Sequence, residues 1–488
     1  MNYRRGLYSS GVALFAVSLT ASLTGCADMG GLAPMFQSRS ADSIATTKTL
    51  SGVAQADWPK ADWWTQLGDA NLDTLIREAL RDNPDLNAAE ARVRLASAQA
   101  DTAYAARLPS LDANARFPGS PFPNSFPVPS DPANTSKQLT LNGSFALDLW
   151  GGKRAAWEAA LGQQRAAEVD LRAAELTLST RVAQAYNQLA FAFTADEIAA
   201  ADVNRARRLL DLTRQRVEAG VDALAQQRQA ESAFASAQQK QAQTAQQIES
   251  ARVQLAVLLG QGPDRGLAID HPGALKASEL AVPDNLPAEL LGRRPDIVAA
   301  RWRVEAASHS IDAAKTQFYP NINLNGVFGF AAMSTDDLLR SSSRFGLLTP
   351  SISLPIFEGG RLRANLAGRD AEYDQAVAQY NKTLVAAFNE VAESLSQLRS
   401  LKAQLAAQEQ ALLSARQAWD LSTQRYRNGI GGHLEVLTVQ QSLHQAEAKL
   451  AEIESRRVDA SITLVRALGG GFNAATTATA STSIAHAQ

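Results

Sequence analysis

Two stretches of this chain, of about 67 residues each, contain no proline and almost no glycine, so nothing within them stops a helix. They run from 153 to 219 and from 361 to 428. At 1.5 Å per residue, a helix of that length extends roughly 100 Å. No compact globular domain accommodates such a rod, so long helices packed side by side must dominate the fold.

Each long stretch ends at a glycine-containing turn, and a second helical stretch follows it. A glycine directly after a helix readily adopts the left-handed conformation that ends the helix, and a short turn between two helices makes them antiparallel. The sequence therefore predicts two helical hairpins, over 152–259 and 360–468. Their tips are predicted at Gly220, and at Gly429, Gly431 and Gly432.

The chain repeats itself at a fixed separation of about 210 residues. "NPDL" at 83–86 recurs as "RPDI" at 294–297, and "RLPSLDANA" at 107–115 recurs as "FYPNINLNG" at 318–326. The glycines that end the two hairpins, Gly260 and Gly469, are separated by almost the same distance. The body of the protein is therefore one unit used twice. We interpret Arg293 and Arg294, just before Pro295, as solvated residues near a helix start.

Four shorter runs alternate apolar and polar residues, which predicts β-strands at 107–117, 138–150, 319–331 and 346–357. In the third run, for example, Ile322 and Leu324 alternate with Asn321 and Asn323. About ten alternating residues suit a transmembrane barrel strand, with apolar side chains toward lipid. A half-buried strand of a soluble sandwich fits the alternation equally well. The chain offers no further strands for a second sheet, however, and this favours the barrel.

Four strands cannot close a barrel alone, because a sheet edge in lipid would leave amides unpaired. Two copies of the chain would give a barrel of eight strands, and side chains would fill its interior. Three copies would give twelve strands and leave room for a pore. A pore therefore favours a trimer or a larger ring.

The N-terminus has the order of a secretory signal: Arg4 and Arg5, an apolar run and then small residues. "LTGC" at 23–26 contains the only cysteine of the 488 residues and resembles the bacterial lipobox. We therefore expect a signal peptide over 1–25 and a lipid on Cys26. By the rule for such lipoproteins, Ala27 indicates the outer membrane. An ordinary signal peptide with a chance cysteine is the alternative.

The composition excludes several other classes of protein. The net charge is −2, so there is no electrostatic reason to bind nucleic acid. The five histidines show no metal-ligand spacing, and the glycine groups lack the context of a phosphate-binding loop. We predict no enzyme activity, no metal and no cofactor apart from the covalent lipid. His433 is interpreted as a surface residue beside a turn.

Several longer motifs resemble the TolC-like outer membrane factors, and more closely their lipidated NodT-type branch. They are "FALDLWGGKR", "PSISLPIFEGGRLRANL", "YRNGIGGHLEVL" and "ADWWTQLGDANLDTLIREAL", and the resemblance covers Asp57 to about Gly470. It implies an α+β membrane protein: a homotrimer with a joint twelve-stranded barrel in the outer membrane of a Gram-negative bacterium. A periplasmic helical tunnel would continue the barrel, with an equatorial domain around the tunnel.

The resemblance also implies a function. Such a conduit passively exports solutes delivered by an inner-membrane pump, of the RND type, through a periplasmic adaptor protein. A periplasmic coiled-coil lipoprotein, itself an adaptor or binding module, is the alternative from another class. The sequence does not identify the cargo, the pump or the resting state of the channel.

The family's gate lies at the periplasmic tips of the hairpins, and its residues are carried over by position. The family tyrosine matches Tyr426, and the first of two gate acids matches Glu435. Thr438 occupies the place of the second acid, Gln226 that of the tyrosine's acidic partner, and Gly431 that of a tip arginine. We expect Tyr426 to be able to hydrogen-bond Gln226, and three Glu435 side chains to form an anionic collar. A solvated Glu435 without such a role is the alternative.

These expectations divide the chain into six segments. They are a signal peptide (1–25), a lipidated segment with an equatorial region (26–67), the first repeat (68–262), an equatorial linker (263–287), the second repeat (288–469) and a flexible tail (470–488).

Overall fold

The computed structural model describes residues 29–45, 54–117, 136–277, 281–283 and 286–474. The predicted signal peptide, the lipid site Cys26 and the last part of the tail, from 475, lie outside the described residues. Nine α-helices and six strands are described, together with short 3₁₀ turns. The helices are α1 (Ala70–Asp82), α2 (Pro84–Ala105), α3 (Gly152–Glu218), α4 (Leu224–Leu258), α5 (Pro263–Leu267), α6 (Leu286–Arg293), α7 (Pro295–Thr316), α8 (Arg361–Arg427) and α9 (His433–Ala467). The strands are β1 (Ala54–Gln55), β2 (Ser110–Arg116), β3 (Lys137–Leu147), β4 (Ala281–Val282), β5 (Asn321–Ala332) and β6 (Arg344–Ser353).

The two halves of the chain contain helices of identical length. Helices α3 and α8 each have 67 residues, and α4 and α9 each have 35. The long helices are uninterrupted because no proline occurs within them to remove a backbone hydrogen bond. The first helical stretch of each half also ends before the expected strand, since α2 stops at Ala105 and α7 at Thr316.

The chain divides into two compact units. The first comprises Met1–Ser38, Val93–Ala167 and Ala300–Tyr380, and it holds a four-stranded antiparallel sheet in the order β2-β3-β5-β6. Helices α3 and α7 approach closely in this unit: a Cβ on Gly162 would lie 2.9 Å from the Cβ of Ala306. Because Gly162 has no side chain, α3 and α7 can approach each other closely at this point.

The strand register sorts the sheet into two chemically different faces. Residues paired across neighbouring strands share a face, and successive residues alternate. What we call the polar face carries Ser110, Asp112, Asn114, Arg116, Gln138, Thr140, Asn142, Ser144, Asn321, Asn323, Asn325, Thr349, Ser351 and Ser353. The apolar face carries Leu111, Leu139, Leu141, Phe145, Leu147, Ile322, Leu324, Phe328, Phe330, Leu348 and Ile352. The alternation seen in the sequence thus survives in β2, in β3 and in parts of β5 and β6, but Val327, Phe345 and Leu347 place apolar side chains on the polar face.

The strands are shorter than the alternating runs that predict them. β3 ends at Leu147 because Asp148 serves the next helix: its carboxylate accepts hydrogen bonds from the backbone N–H groups of Lys153 and Arg154, at 3.0 and 2.8 Å. β6 ends at Ser353, two residues before Pro355, which has no N–H to donate. Pattern alone does not reveal where hydrogen bonding stops.

The second unit comprises Arg39–Arg92, Glu168–Ala299 and Asn381–Gln488. Its core packs the middle of α3, including the fully buried Tyr186 and Leu189, against α1 and the end of α4. Segments distant in sequence meet here. β1 pairs in parallel with β4, and the backbone N–H of Lys276 donates to the carbonyl of Leu67 at 3.0 Å. The N-terminal region and the linker after α5 therefore lie together.

The repeated "NPDL" motif contacts the end of the first hairpin. The side-chain amide of Asn83 donates to the carbonyl of Leu258, in the last turn of α4, at 2.8 Å. Gly260 follows with a positive φ of 71°, and a Cβ there would lie 2.8 Å from the carbonyl oxygen of Asp82. This contact satisfies a helix C-terminal carbonyl and closes the base of the hairpin.

The "RPDI" motif makes the same contact in the second half, but with a charged residue. Arg294 donates to the carbonyl of Ala467 at 3.2 Å and forms ion pairs with Asp296, at 2.6 Å, and Glu390, at 2.8 Å. The interpretation of Arg294 as solvated is wrong, because only 7% of its surface is exposed. Burial alone would lower its pKa, but the two carboxylates raise the pKa of Arg294 above its usual value.

Candidate functional site at the hairpin tips

The two predicted tips have the same backbone geometry. After α3, the N–H of Val221 donates to the carbonyl of Arg216 at 2.8 Å; after α8, the N–H of Ile430 donates to that of Arg425 at 2.9 Å. The residue directly before the donor is Gly220 in the first tip and Gly429 in the second, with φ of 72° and 74°. This bond spans five residues around a left-handed glycine, which is a common helix stop.

The four tip glycines do not have the same role. Gly220 and Gly429 are needed for their positive φ, since no atom lies within 4 Å of a Cβ placed on either. Gly431 has an ordinary φ, and a Cβ there would lie 3.2 Å from Oε2 of Glu435. Gly432 is the N-cap of α9, with φ −88° and ψ 148°. The second tip is therefore compact around Glu435.

Tyr426 and His433 stack on each other across the second tip. Their ring centroids are 4.9 Å apart and the rings are inclined by 26°. No hydrogen bond joins Tyr426 to Gln226 within the described part of one chain. The sequence placed His433 correctly beside the turn but gave no reason to pair it with Tyr426. They are seven positions apart along the chain, and the tight turn brings them together.

The other two predicted gate residues lie on the first turn and a half of α9. Glu435 forms no side-chain hydrogen bond or ion pair with the described residues of its own chain. The hydroxyl of Thr438 donates to the carbonyl of Leu434 in the same helix, at 2.9 Å. Glu435 therefore presents an unpaired carboxylate, whereas the polar group of Thr438 is already used.

Two ion pairs that were not predicted from the sequence lie within the first hairpin, and one of their arginines also hydrogen-bonds the second hairpin. Arg216 forms a two-pronged pair with Asp222 at 2.7 and 2.9 Å, and these hydrogen bonds lower the pKa of Asp222. Arg205, only 2% exposed, pairs with Asp202 at 2.6 Å and donates to the carbonyl of Leu437 at 3.3 Å. The spacing of Asp202 and Arg205 signals a helical pair, but not its burial against α9.

Large apolar side chains are exposed at both tips. They are Val221, Leu224, Ile430 and Leu434. Val221 and Ile430 each follow the left-handed glycine, so the two tips present an apolar residue at the same place. Clustered exposed apolar residues typically mark a surface that another protein covers.

A different set of polar contacts joins α3 to α9 away from the tips. The side-chain amide of Asn187 donates to Asp459 at 2.9 Å and to the backbone carbonyl of Ser455, also at 2.9 Å. Burial raises the pKa of Asp459, although the hydrogen bond from Asn187 opposes that rise. The two hairpins of one chain are thus joined by hydrogen bonds at more than one level.

None of the described helices has the length and apolarity needed to span a bilayer. Across the described ranges, the His, Cys, Asp and Glu side chains form no group of three suited to holding a metal ion.

Comparison with known proteins gives consistent findings. Residues 75–261 and 286–470 match the sequence profile of a family described as outer membrane efflux protein. The chain is 39% identical over 368 residues to the fusaric acid resistance protein FusA of Burkholderia cepacia, covering 74% of this chain and 69% of FusA. It is 31% identical over 439 residues to the multidrug resistance outer membrane protein MdtP of Shigella flexneri, covering 87% and 89%. The crystal structure of the outer membrane protein VceC from Vibrio cholerae matches with a TM-score of 0.76 and 36% identity, over 85% of this chain and all of VceC.

Proposed function

Because this chain belongs to the outer membrane efflux protein family, we propose that it is the outer membrane channel of a tripartite efflux system, with a periplasmic adaptor and an inner-membrane pump as partners. It is an efflux protein of the outer membrane. The family match covers both halves of the chain, and this favours the channel over the alternative of a coiled-coil adaptor. Transport through the channel would be passive, with the pump supplying the energy.

The observation that carries the proposal is the four-stranded sheet with one polar and one apolar face. Its edge strands β2 and β6 each pair on one side only among the described strands. An open edge in lipid would leave backbone groups unsatisfied, so the edges must pair with other chains. Three chains would form a twelve-stranded barrel, with the apolar face toward lipid and the polar face lining a water-filled lumen. The proposed assembly is therefore a homotrimer.

The hairpins would extend this lumen through the periplasm, and their tips would form the gate and the contact with the adaptor. The exposed apolar residues Val221 and Ile430 supply a surface for the adaptor, because they lie at equivalent turns. Within the gate, Tyr426 and His433 pack together, while Glu435 is unpaired. We therefore propose a gate closed mainly by packing, with one free carboxylate per chain forming an anionic collar.

Replacing Glu435 by glutamine is expected to reduce cation selectivity and to weaken block by divalent cations about fivefold, because it removes one exposed charge per chain. Single-channel recording in planar bilayers measures both quantities. Thr438→Val is the matched control: its hydroxyl is bonded within α9, so selectivity should stay unchanged. Conductance, selectivity and divalent block that are all unaltered in Glu435→Gln would leave Glu435 as an ordinary solvated residue.

The names of the similar proteins point to small organic cargo. FusA is named for resistance to fusaric acid and MdtP for multidrug resistance. We propose that this chain likewise exports small organic antimicrobial compounds. The hydroxyl and amide groups of the polar face are compatible with many solutes, since they carry little charge.

Deletion of the gene is expected to lower the minimal inhibitory concentration of at least one antibiotic, dye or organic acid in a panel that also contains metal salts. Resistance that stays unchanged toward every antibiotic, dye and organic acid would contradict the cargo class. The intact gene should restore resistance.

We propose that the lipid on Cys26 is a second membrane anchor, so Cys26→Ser should reduce the amount of trimer in the outer membrane more than export per trimer. A normal amount of Cys26→Ser trimer with abolished export would contradict that role.

A further inference from the structure

The polar face of the sheet contains one carboxylate that its own chain leaves unpaired. Asp112, in the middle of β2, forms no side-chain hydrogen bond or ion pair within the described residues. Asp148, at the end of the same sheet, is by contrast fully engaged as the cap of α3. An unpaired carboxylate on a face that meets water is free to attract a cation.

Apolar side chains interrupt the polar face at the level of Asp112. The register pairs Asp112 with Asn142, Asn142 with Val327, and Val327 with Leu347, so these four residues form one row across the sheet. Leu347 is 63% exposed. This row therefore contains a carboxylate and two aliphatic side chains, with the amide of Asn142 between Asp112 and Val327.

The row forms a shallow recess of about 210 Å³. Asp112, Asn142, Val327 and Leu347 line it, together with Asn325 and Thr349 of the next row. Its chemistry is amphipathic, because one wall offers a charge and another offers carbon atoms. A cation with an apolar body would satisfy both walls, whereas an anion or a small hydrated ion would satisfy at most one.

We propose that Asp112, Val327 and Leu347 form a subsite for cationic amphiphiles on the lumen wall, one in each chain. The proposal deepens the proposed function and rests on it, since it requires the polar face to line the lumen. The subsite would hold such cargo briefly during its passage. It would also make the barrel discriminate between organic cations and organic anions of the same shape.

Arg116 provides an internal comparison. It lies on the same strand and face, four residues beyond Asp112, which corresponds to about 13 Å along the strand. Its row contains Gln138 and Ala331 and has no carboxylate. Neutralising Arg116 changes the charge of the polar face as much as neutralising Asp112 does, but with the opposite sign and in another row.

The test uses a reporter thiol at Asn142, which is directly opposite Asp112. The full-length Asn142→Cys trimer in detergent is labelled with N-ethylmaleimide, with and without tetraphenylphosphonium, or its anionic isostere tetraphenylborate. The ratio of the rates with and without the ion reports occupancy, and it cancels any effect of Asp112 on thiol reactivity. The unsubstituted protein, with Cys26 alone, gives the background.

Tetraphenylphosphonium is expected to slow labelling, and tetraphenylborate is not. Adding Asp112→Asn should weaken the protection about fivefold, as expected for one exposed charge pair. Adding Arg116→Gln should leave the protection unchanged or stronger. Equal protection by both ions, or protection that survives Asp112→Asn, would overturn the subsite alone. A folded trimer whose reporter thiol does not react at all would instead contradict a water-filled lumen lined by the polar face. It would therefore contradict the proposed function as well.

Discussion

Replacing Gly469 by alanine is expected to destabilise the folded protein by about 4 kcal/mol, or to prevent its accumulation. Gly469 has a φ of 91°, which an L side chain rarely adopts, and a Cβ there would overlap the carbonyl oxygen of Arg293. Both the strain and the clash arise at the base of the second hairpin, where Arg294 is buried. Thermal unfolding of the detergent-solubilised chain, followed by near-UV circular dichroism, measures the loss.

Gly429→Ala is the matched control, because Gly429 has a similar φ of 74° but open space around it. Backbone strain alone should lower the free energy of unfolding of Gly429→Ala by about 1 kcal/mol. Gly260→Ala should fall between the two, since its Cβ would lie 2.8 Å from the carbonyl oxygen of Asp82. Three equal losses would show that the close contacts at the hairpin bases contribute nothing. The intermediate variant keeps the comparison usable if Gly469→Ala does not fold.

Cysteines placed on the two edge strands are expected to link different chains. β2 and β6 lie at opposite edges of one sheet, roughly 14 Å apart, which is too far for a disulfide within the chain. In the proposed trimer, the β2 strand of one chain pairs with β6 of the next. Asn114→Cys is therefore combined in turn with Phe345→Cys, Leu347→Cys and Thr349→Cys, which scans the register between chains.

In at least one combination, most of the chains should migrate as covalent dimers and trimers on a non-reducing gel. The control pair is Asn142→Cys with Val327→Cys, directly opposite each other in β3 and β5. This pair should form a disulfide within one chain, and the protein should still migrate as a monomer. Monomers throughout the scan, or a ladder that continues beyond three chains, would contradict the trimer.

The long helices and the faces of the sheet could be predicted from the sequence because both depend on local patterns. The absence of proline predicts α3 and α8, and the alternation of apolar and polar residues predicts which residues share a face over most of the sheet. The ends of the strands could not be predicted, since the capping role of Asp148 depends on where the next helix begins.

The contacts at the candidate site could not be predicted from the sequence. The glycines indicate where the tips are, yet the stacking of Tyr426 on His433 depends on the path of the turn. Arg294 illustrates the same limit more strongly. Its burial depends on Glu390, which is 96 residues away, so no local pattern distinguishes it from an exposed arginine.

The ion pair at the base of the second hairpin makes the two halves of the chain non-interchangeable at this point. Glu390 is the thirtieth residue of α8, and the thirtieth residue of α3 is Arg181. An arginine transplanted to position 83 would therefore lack the acidic partner that Arg294 has in Glu390, and an asparagine at 294 would leave Glu390 without its cation. Each half of the chain therefore tolerates only the substitutions that its own contacts accept.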